Sequence, residues 1–336
     1  MEQPEPLLAP APRTEPIEIP GRDPVPVTLL TGFLGAGKTT LLNRILTGDH
    51  GLRVGVLVND FGDINIDAAL VEGVEDNTIS LANGCICCEL RDDLVQSLEA
   101  LLTGTHDIDY VIVEASGVAE PSGIVLTFLD RRYERLFRLD GITCLVDAEG
   151  IFRYDDDDQL NMLKIRQIGF ADLVVLNKTD LVGPEHIEVI RDWIGLHMKR
   201  VRIIEAAHGD VPMEVLLGVG RFNGEVEQGQ PLNDQAILSE GVGFDRWSYR
   251  SNQPLSLESL EHMVKRQLPE SVYRCKGIIH TVEDPTQRYS LQVVGRRTQI
   301  TPIGEWRITP PTTEIVAIGK DMDEHRLKSL FNSCKN

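Results

Sequence analysis

Positive charge is what this sequence has least of for its size: 33 Lys and Arg stand against 52 Asp and Glu, a net charge of −19. Neutralising a phosphate backbone requires a basic surface, so nucleic acid is not an expected partner. Docking to anionic lipid is disfavoured for the same reason. No apolar stretch reaches the roughly 20 residues that a membrane-crossing helix needs, so no membrane partner is expected either. Residues 1–26 show no charged-then-apolar signal pattern and are neither Arg-rich nor Ser-rich. A disulfide framework is missing as well. Of the six cysteines, Cys85, Cys87 and Cys88 cluster while Cys144, Cys275 and Cys334 are scattered, a spacing that favours metal or redox use. These absences together lead us to expect a cytoplasmic protein. The eight histidines are dispersed, with no His-rich tract, and no internal repeat is found.

What is present is an ordinary globular composition, 42% hydrophobic and 25% charged, in a chain long enough for two domains. The first 26 residues hold eight of the 18 prolines, which predicts an extended tail over 1–24. Short β-branched and apolar runs follow at 25–30, 54–58, 110–113, 141–146 and 173–176, each reading as a buried strand. Helical spacing lies between them, for example at 39–46, 92–102 and 159–168. Buried strands alternating with helices predict an α/β fold, a P-loop NTPase parallel sheet with helices on both faces. That domain is expected over 25–217, before a Gly-, Asn-, Gln- and Glu-rich linker at 218–243. Residues 244–336 are expected to form a small α+β domain with a mostly antiparallel sheet. Its strands are predicted at 244–250, 272–282, 289–294 and 314–318, with helices at 257–267 and 323–331.

The first strand runs straight into Gly32-Phe33-Leu34-Gly35-Ala36-Gly37-Lys38-Thr39. Glycines there let the backbone wrap phosphate oxygens where a Cβ would intrude, and the following helix adds positive potential. The expected nucleotide contacts are Gly32, Gly35, Ala36, Gly37, Lys38, Thr39 and Thr40. Lys38 would reach the β- and γ-phosphates, and the Thr39 hydroxyl would sit on Mg²⁺. Asn177-Lys178-Thr179-Asp180 follows the fifth predicted strand. A carboxylate there accepts from both N1–H and N2–H₂ of guanine, a donor pair that adenine lacks, so GTP is the expected nucleotide. The third predicted strand ends in Glu114-Ala115-Ser116-Gly117, where the Gly117 N–H would sense the γ-phosphate and Glu114 would orient Mg²⁺ or the attacking water. No arginine finger is identifiable.

Between these motifs lies Gly84-Cys85-Ile86-Cys87-Cys88. Thiolates suit Zn²⁺, Co²⁺ and Ni²⁺. From spacing alone a redox pair and three structural cysteines stay open beside metal binding, although vicinal Cys87 and Cys88 cannot close a relaxed disulfide. Placement among nucleotide motifs favours metal. Asp60, Asp63 or a partner molecule would supply the missing ligand, and the loop from Asn59 to Asp67 sits where a GTPase carries its first switch. The run Asp155 to Asp158 is read as a solvated loop rather than a metal site. His208 is expected at the rim of the guanine pocket or in a turn, not as a ligand.

In this order and spacing the motifs, together with Asn59-Asp60-Phe61-Gly62, resemble the CobW-like metallochaperone GTPases, relatives of the GTPases that assist hydrogenase and urease maturation. The likeness extends from Val27 to the C-terminus. It implies a slow GTPase that binds a transition metal at Cys87 and Cys88, often with Cys85, and delivers it to a client metalloprotein. Zinc is the cargo of many members and cobalt that of cobalamin-pathway members. Zinc is therefore the expected cargo; a cobalt-handling accessory factor and a redox-sensing regulatory GTPase are the alternatives, and a homodimer is left open. Three departures bear on the client. Asp60 stands where Glu is frequent, a His-rich loop is absent, and no Cys-Pro-containing N-terminal docking motif is present, so methionine aminopeptidase is not inferred as client.

Overall fold

The computed structural model describes residue 19 and residues 22–59, 78–81, 89–103, 108–153, 157–198, 201–217, 245–306 and 310–335. The predicted linker and most of the predicted Pro-rich tail lie outside the described residues. Seven strands form the first sheet: β1 (Val25–Gly32), β2 (Val54–Asn59), β3 (Thr78–Leu81), β4 (Tyr110–Glu114), β5 (Phe137–Asp147), β6 (Leu173–Asn177) and β7 (Arg202–Glu205). Their order is β3-β2-β4-β1-β5-β6-β7 and every pairing is parallel. The helices are α1 (Lys38–Thr47), α2 (Glu89–Thr103), α3 (Ser122–Phe128), α4 (Asp158–Phe170), α5 (Pro184–His197) and α6 (Met213–Leu217).

The strands are apolar at consecutive positions because both faces are covered. Ile112, Leu145 and Val175 pack with Leu41, Leu42 and Ile45 of α1 and with Val215 of α6. On the other face Val111 and Val113 meet Leu94 and Leu98 of α2, while Cys144, Val146 and Leu176 meet Ile168 of α4 and Ile190 and Ile194 of α5. The sequence reading expects five strands here. Two more are present, so the strand ending in Glu114 is the fourth in chain order and the one ending in Asn177 is the sixth.

The C-terminal unit is a five-stranded antiparallel sheet of β8 (Asp245–Ser251), β9 (Val272–His280), β10 (Gln287–Val294), β11 (Arg297–Glu305) and β12 (Thr313–Gly319), ordered β11-β10-β9-β12-β8. Strand β11 is not foreseen in the sequence. Helices α7 (Leu257–Arg266) and α8 (Glu324–Asn332) cover one face, with Leu260, Met263, Leu327 and Phe331 against Cys275, Leu291 and Ile315. Trp247 stacks on Phe331 with ring centroids 5.6 Å apart.

Period-2 alternation turns Arg274 and Gln292 to the opposite face, which rests on the first domain. Arg274 and Asp140 form an ion pair in which both side chains are 2% exposed. Arg274 also donates to the carbonyls of Val215 and Leu216, and the Tyr110 hydroxyl donates to Asp140 at 2.7 Å. With its amide oriented to satisfy both neighbours, Gln292 donates to Asp140 Oδ1 at 3.1 Å and accepts from Arg138 at 2.8 Å. A second anchor sits at the turn between β10 and β11, where Arg296 N donates to the Asp172 carbonyl and Arg297 Nε to the Asp172 carboxylate. Asp172 directly precedes β6, so this docking occurs at the edge where the parallel strands begin. The opposite edge, where they end, is where ligands bind in open parallel sheets. No helix among the described residues is long and apolar enough to cross a membrane.

Candidate nucleotide and metal site

Four strands end together at that edge, β1 in Gly32, β4 in Glu114, β5 in Asp147 and β6 in Asn177. The loop after β1 requires glycine. Gly32 and Gly37 have φ of 136° and 99°, and a Cβ on them would lie 2.2 Å from the Leu145 carbonyl oxygen and 2.4 Å from Asn177 Nδ2. Ala36 is fully buried and anchors the loop, its carbonyl accepting from Asn177 Nδ2 at 2.9 Å. Lys38 opens α1 and is only 7% exposed; its ammonium lies over the loop and donates to the Gly32 carbonyl at 3.0 Å. Thr39 is half-buried and Thr40 exposed. A glycine cradle, a buried lysine and an open helix N-terminus suit a polyphosphate.

The end of the edge expected to hold the base is built on Asn177, which is 2% exposed. Its Oδ1 accepts from Gly209 N at 2.9 Å while its Nδ2 holds Ala36, so one amide ties the phosphate loop to the loop after β7. Lys178 adopts φ 63°, and its ammonium donates to Asp147 Oδ2 at 2.8 Å. The left-handed residue starts a tight turn over Thr179–Leu181, whose Thr179 hydroxyl donates to the Ala206 carbonyl at 3.0 Å. That leaves the Asp180 carboxylate facing outward, with His208 Nε2 at 3.6 Å. His208 itself lies in a turn at φ 52° with its side chain 82% exposed.

At the other end of the site Glu114 is 2% exposed and stands in register with Leu30 of β1 and Val58 of β2. Gly117 presses on the phosphate loop: a Cβ there would sit 2.8 Å from Leu34 N. The structure thus brings together Gly32, Gly35, Ala36, Gly37, Lys38, Thr39, Thr40, Glu114, Gly117, Asn177, Lys178 and Asp180 along one sheet edge. Cys85, Cys87, Cys88 and Asp60, and with them Asp63, lie outside the described residues. Two backbone facts bear on them. Strand β2 ends at Asn59, directly before Asp60 in sequence, and Asn59 pairs with Leu81, the last residue of β3.

Among the described residues no group of three or more His, Cys, Asp or Glu could hold a metal. Cys144, Cys275 and Cys334 are free and buried. Burial pushes the Cys144 and Cys275 thiols up to about 12, so neither offers a thiolate near neutrality. Sequence reasoning overlooked Asp147, Lys164 and Gln167. The signals were there: a carboxylate closing an apolar strand, and two polar residues three apart on the α4 face that carries Leu160 and Ile168.

Fold and site together define a nucleotide-binding protein with the P-loop GTPase fold. Residues 26–205 match the family described as CobW/HypB/UreG, nucleotide-binding domain, and residues 244–335 match the cobalamin synthesis protein cobW C-terminal domain. The chain belongs to this CobW/HypB/UreG family. It is 30% identical over 329 residues to the zinc chaperone YjiA of Escherichia coli K12, covering 92% of this chain and 98% of that one. It is 29% identical over 333 residues to the zinc-regulated GTPase metalloprotein activator 1 of Dictyostelium discoideum, covering 86% of this chain and 70% of the other. A crystal structure of Zn(II)-bound YjiA GTPase from E. coli has 25% sequence identity and a TM-score of 0.44, covering 94% of this chain and all of that one.

Proposed function

We propose that this protein is a GTP-hydrolysing metallochaperone that takes zinc as cargo at Cys85, Cys87 and Cys88 with Asp60 and passes it to a client metalloprotein. The observation that carries the reading is the pairing of Asn59 with Leu81. The strand leading to Asp60 and the strand leading to the cysteine cluster end side by side, two and three positions along the sheet from the phosphate loop strand. From that start Cys85 lies four residues on, a span of at most about 14 Å. A thiolate set and a carboxylate leaving the sheet there are within reach of each other and of the γ-phosphate side.

The arrangement supports the following roles. Gly32, Gly35, Ala36 and Gly37 cradle the phosphates, Lys38 neutralises the β- and γ-oxygens, and Thr39 holds Mg²⁺, which supplies charge neutralisation when bound. Asn177 and Lys178 shape the base pocket, and Asp180 accepts from the guanine edge. Gly117 senses the γ-phosphate, and Glu114 orients the water or the Mg²⁺ shell. Nucleotide state would then set the grip on the cargo, because Asp60 follows directly on β2 beside Glu114. Zinc is favoured over cobalt by the naming of the relatives as zinc chaperones.

The test is competition with a chromogenic zinc indicator in Mg²⁺–GTP analogue and in Mg²⁺–GDP. The double substitution of Cys87→Ser with Cys88→Ser should abolish the nucleotide-dependent part of the zinc affinity while leaving GDP binding intact. Unchanged zinc affinity in that variant, with hydrolysis that responds to oxidant instead of metal, would overturn the proposal in favour of a redox-sensing GTPase.

A further inference from the structure

The turn that carries Gly117 is held in an unusual way. Ala119 N donates to the Ser116 carbonyl at 2.9 Å, closing a turn whose outer residue, Val118, is 37% exposed. Beneath it lies a cavity of about 330 Å³, bounded by Phe33, Leu34, Val118, Leu160, Lys164 and Gln167 among others. Packing from below is therefore incomplete, and polar contacts have to fix the turn.

Gln167 makes those contacts. It rises from α4, is 1% exposed, and its Nε2 donates to the carbonyls of Gly117 and Ala119, at 3.1 Å each. Both partners are carbonyl oxygens, which only accept, so the amide nitrogen has to face them. Another link from α4 to this segment, Arg166 to Glu120 at 2.9 Å, is exposed and correspondingly weak. Gly117 is thus clamped between the phosphate loop at Leu34 and the Gln167 amide.

We propose that Gln167 is a positioning residue for GTP hydrolysis: by holding the carbonyls of Gly117 and Ala119 it aims the Gly117 N–H at the γ-phosphate. This rests on the reading above that the Gly117 amide meets the γ-phosphate. In the reaction a water oxygen bonds to the γ-phosphorus, the bond from that phosphorus to the β–γ bridging oxygen breaks, and GDP leaves with phosphate and a proton. A donor fixed on the γ-oxygens lowers that barrier and also separates GTP from GDP.

The experiment uses the full chain with Mg²⁺ and reads kcat and KM for GTP, together with affinities for GDP and for a non-hydrolysable GTP analogue. Gln167→Met keeps the length and removes both donors. It should lower kcat roughly tenfold and shrink the preference for the analogue over GDP, with GDP affinity unchanged. Gln167→Glu sets acceptors against acceptors and should show the same split, while Gln167→His, which retains an N–H, should recover part of kcat. Unaltered kcat and analogue preference in Gln167→Met and Gln167→Glu, or an equal loss of GDP and analogue binding, would overturn the inference. Gly117→Ala separates the two levels of the argument. If it leaves the analogue preference intact, the reading of Gly117 fails and the inference with it; if it changes the preference where Gln167→Met does not, the inference alone fails.

Discussion

In the proposed function base choice turns on the single carboxylate of Asp180. It is held outward by a left-handed Lys178 and a short turn, with His208 Nε2 at 3.6 Å. An acceptor so placed matches the paired donors of guanine and leaves a desolvated, unpaired oxygen against any base lacking them. Asp180→Asn replaces one acceptor by a donor. Affinity for GTP is expected to fall by about a hundredfold or more, and affinity for xanthosine triphosphate, which carries a carbonyl in place of the 2-amino group, is expected to rise. Competition titrations with the two nucleotides measure this; equal losses for both would show that Asp180 acts on the loop rather than on the base. Lys178 plays a different part from its neighbour, because its ammonium is already engaged by Asp147 and so stiffens the platform on which Asp180 stands.

At the scale of the element, α4 shows how a sequence feature can carry a structural role that composition conceals. Of the acidic run 155–158, Asp157 is the N-cap of α4, its Oδ1 accepting from Gln159 N at 3.0 Å and Leu160 N at 3.1 Å, and Asp158 fills the first turn. These are the places where a carboxylate satisfies the orphan amides and complements the helix dipole. Asp157→Ala should destabilise the protein by about 1 kcal/mol, read from the midpoint of urea unfolding, and leave zinc affinity unchanged. A loss of zinc affinity would instead make the run a metal site. The same helix marks the limit of what the sequence reveals. Strands β1, β4 and β6 are legible because they are apolar on both faces, and the phosphate loop is legible because only glycine tolerates its backbone. Strand β7 escapes notice as Arg202-Ile203-Ile204-Glu205, four residues with charged ends, and β11 as a mostly polar edge strand interrupted by Pro302. Local pattern marks Gln167 and Asp147 as polar residues on otherwise apolar elements, but the carbonyls and the ammonium they act on come from residues up to 50 and 31 positions away, which it does not announce.

For the whole molecule the decisive contact is the buried polar cluster between the two sheets, which carries more positive groups than negative. Asp140 faces Arg274 and Lys276 of β9, with Arg138 on its own strand. Burial works against the Asp140 charge, but Arg274, Lys276 and the Tyr110 hydroxyl outweigh it and hold the carboxyl well below the usual range. Lys276 bears the consequence. Burial first, then repulsion from Arg274 and Arg138, lowers its ammonium to about 7, with Asp140 only partly opposing. The sign for stability is then set by linkage. Below about 7 both the folded and the unfolded chain bind the proton, and the fold bears the whole penalty; between 7 and the ordinary lysine range near 10.4 the unfolded chain binds more protons, so stability climbs with pH. Asp140 acts in acid, while the buried Cys144, Cys275 and Cys334 thiols, raised by desolvation, act in the opposite sense to Lys276 in the upper part of that window. Chemical unfolding of the wild-type chain should therefore show stability increasing from pH 7 to 8 by no more than one proton's worth, about 1.4 kcal/mol per pH unit, before the buried thiols, protonated in the fold and ionising in the unfolded chain, oppose the rise. In Lys276→Met, which keeps the aliphatic stem and drops the charge, the slope should flatten and stability near pH 7 should rise. Parallel pH profiles for the two proteins would mean that the charge at Lys276 is dissipated in the fold. The buried polar cluster would then carry no net penalty from Lys276 at neutral pH.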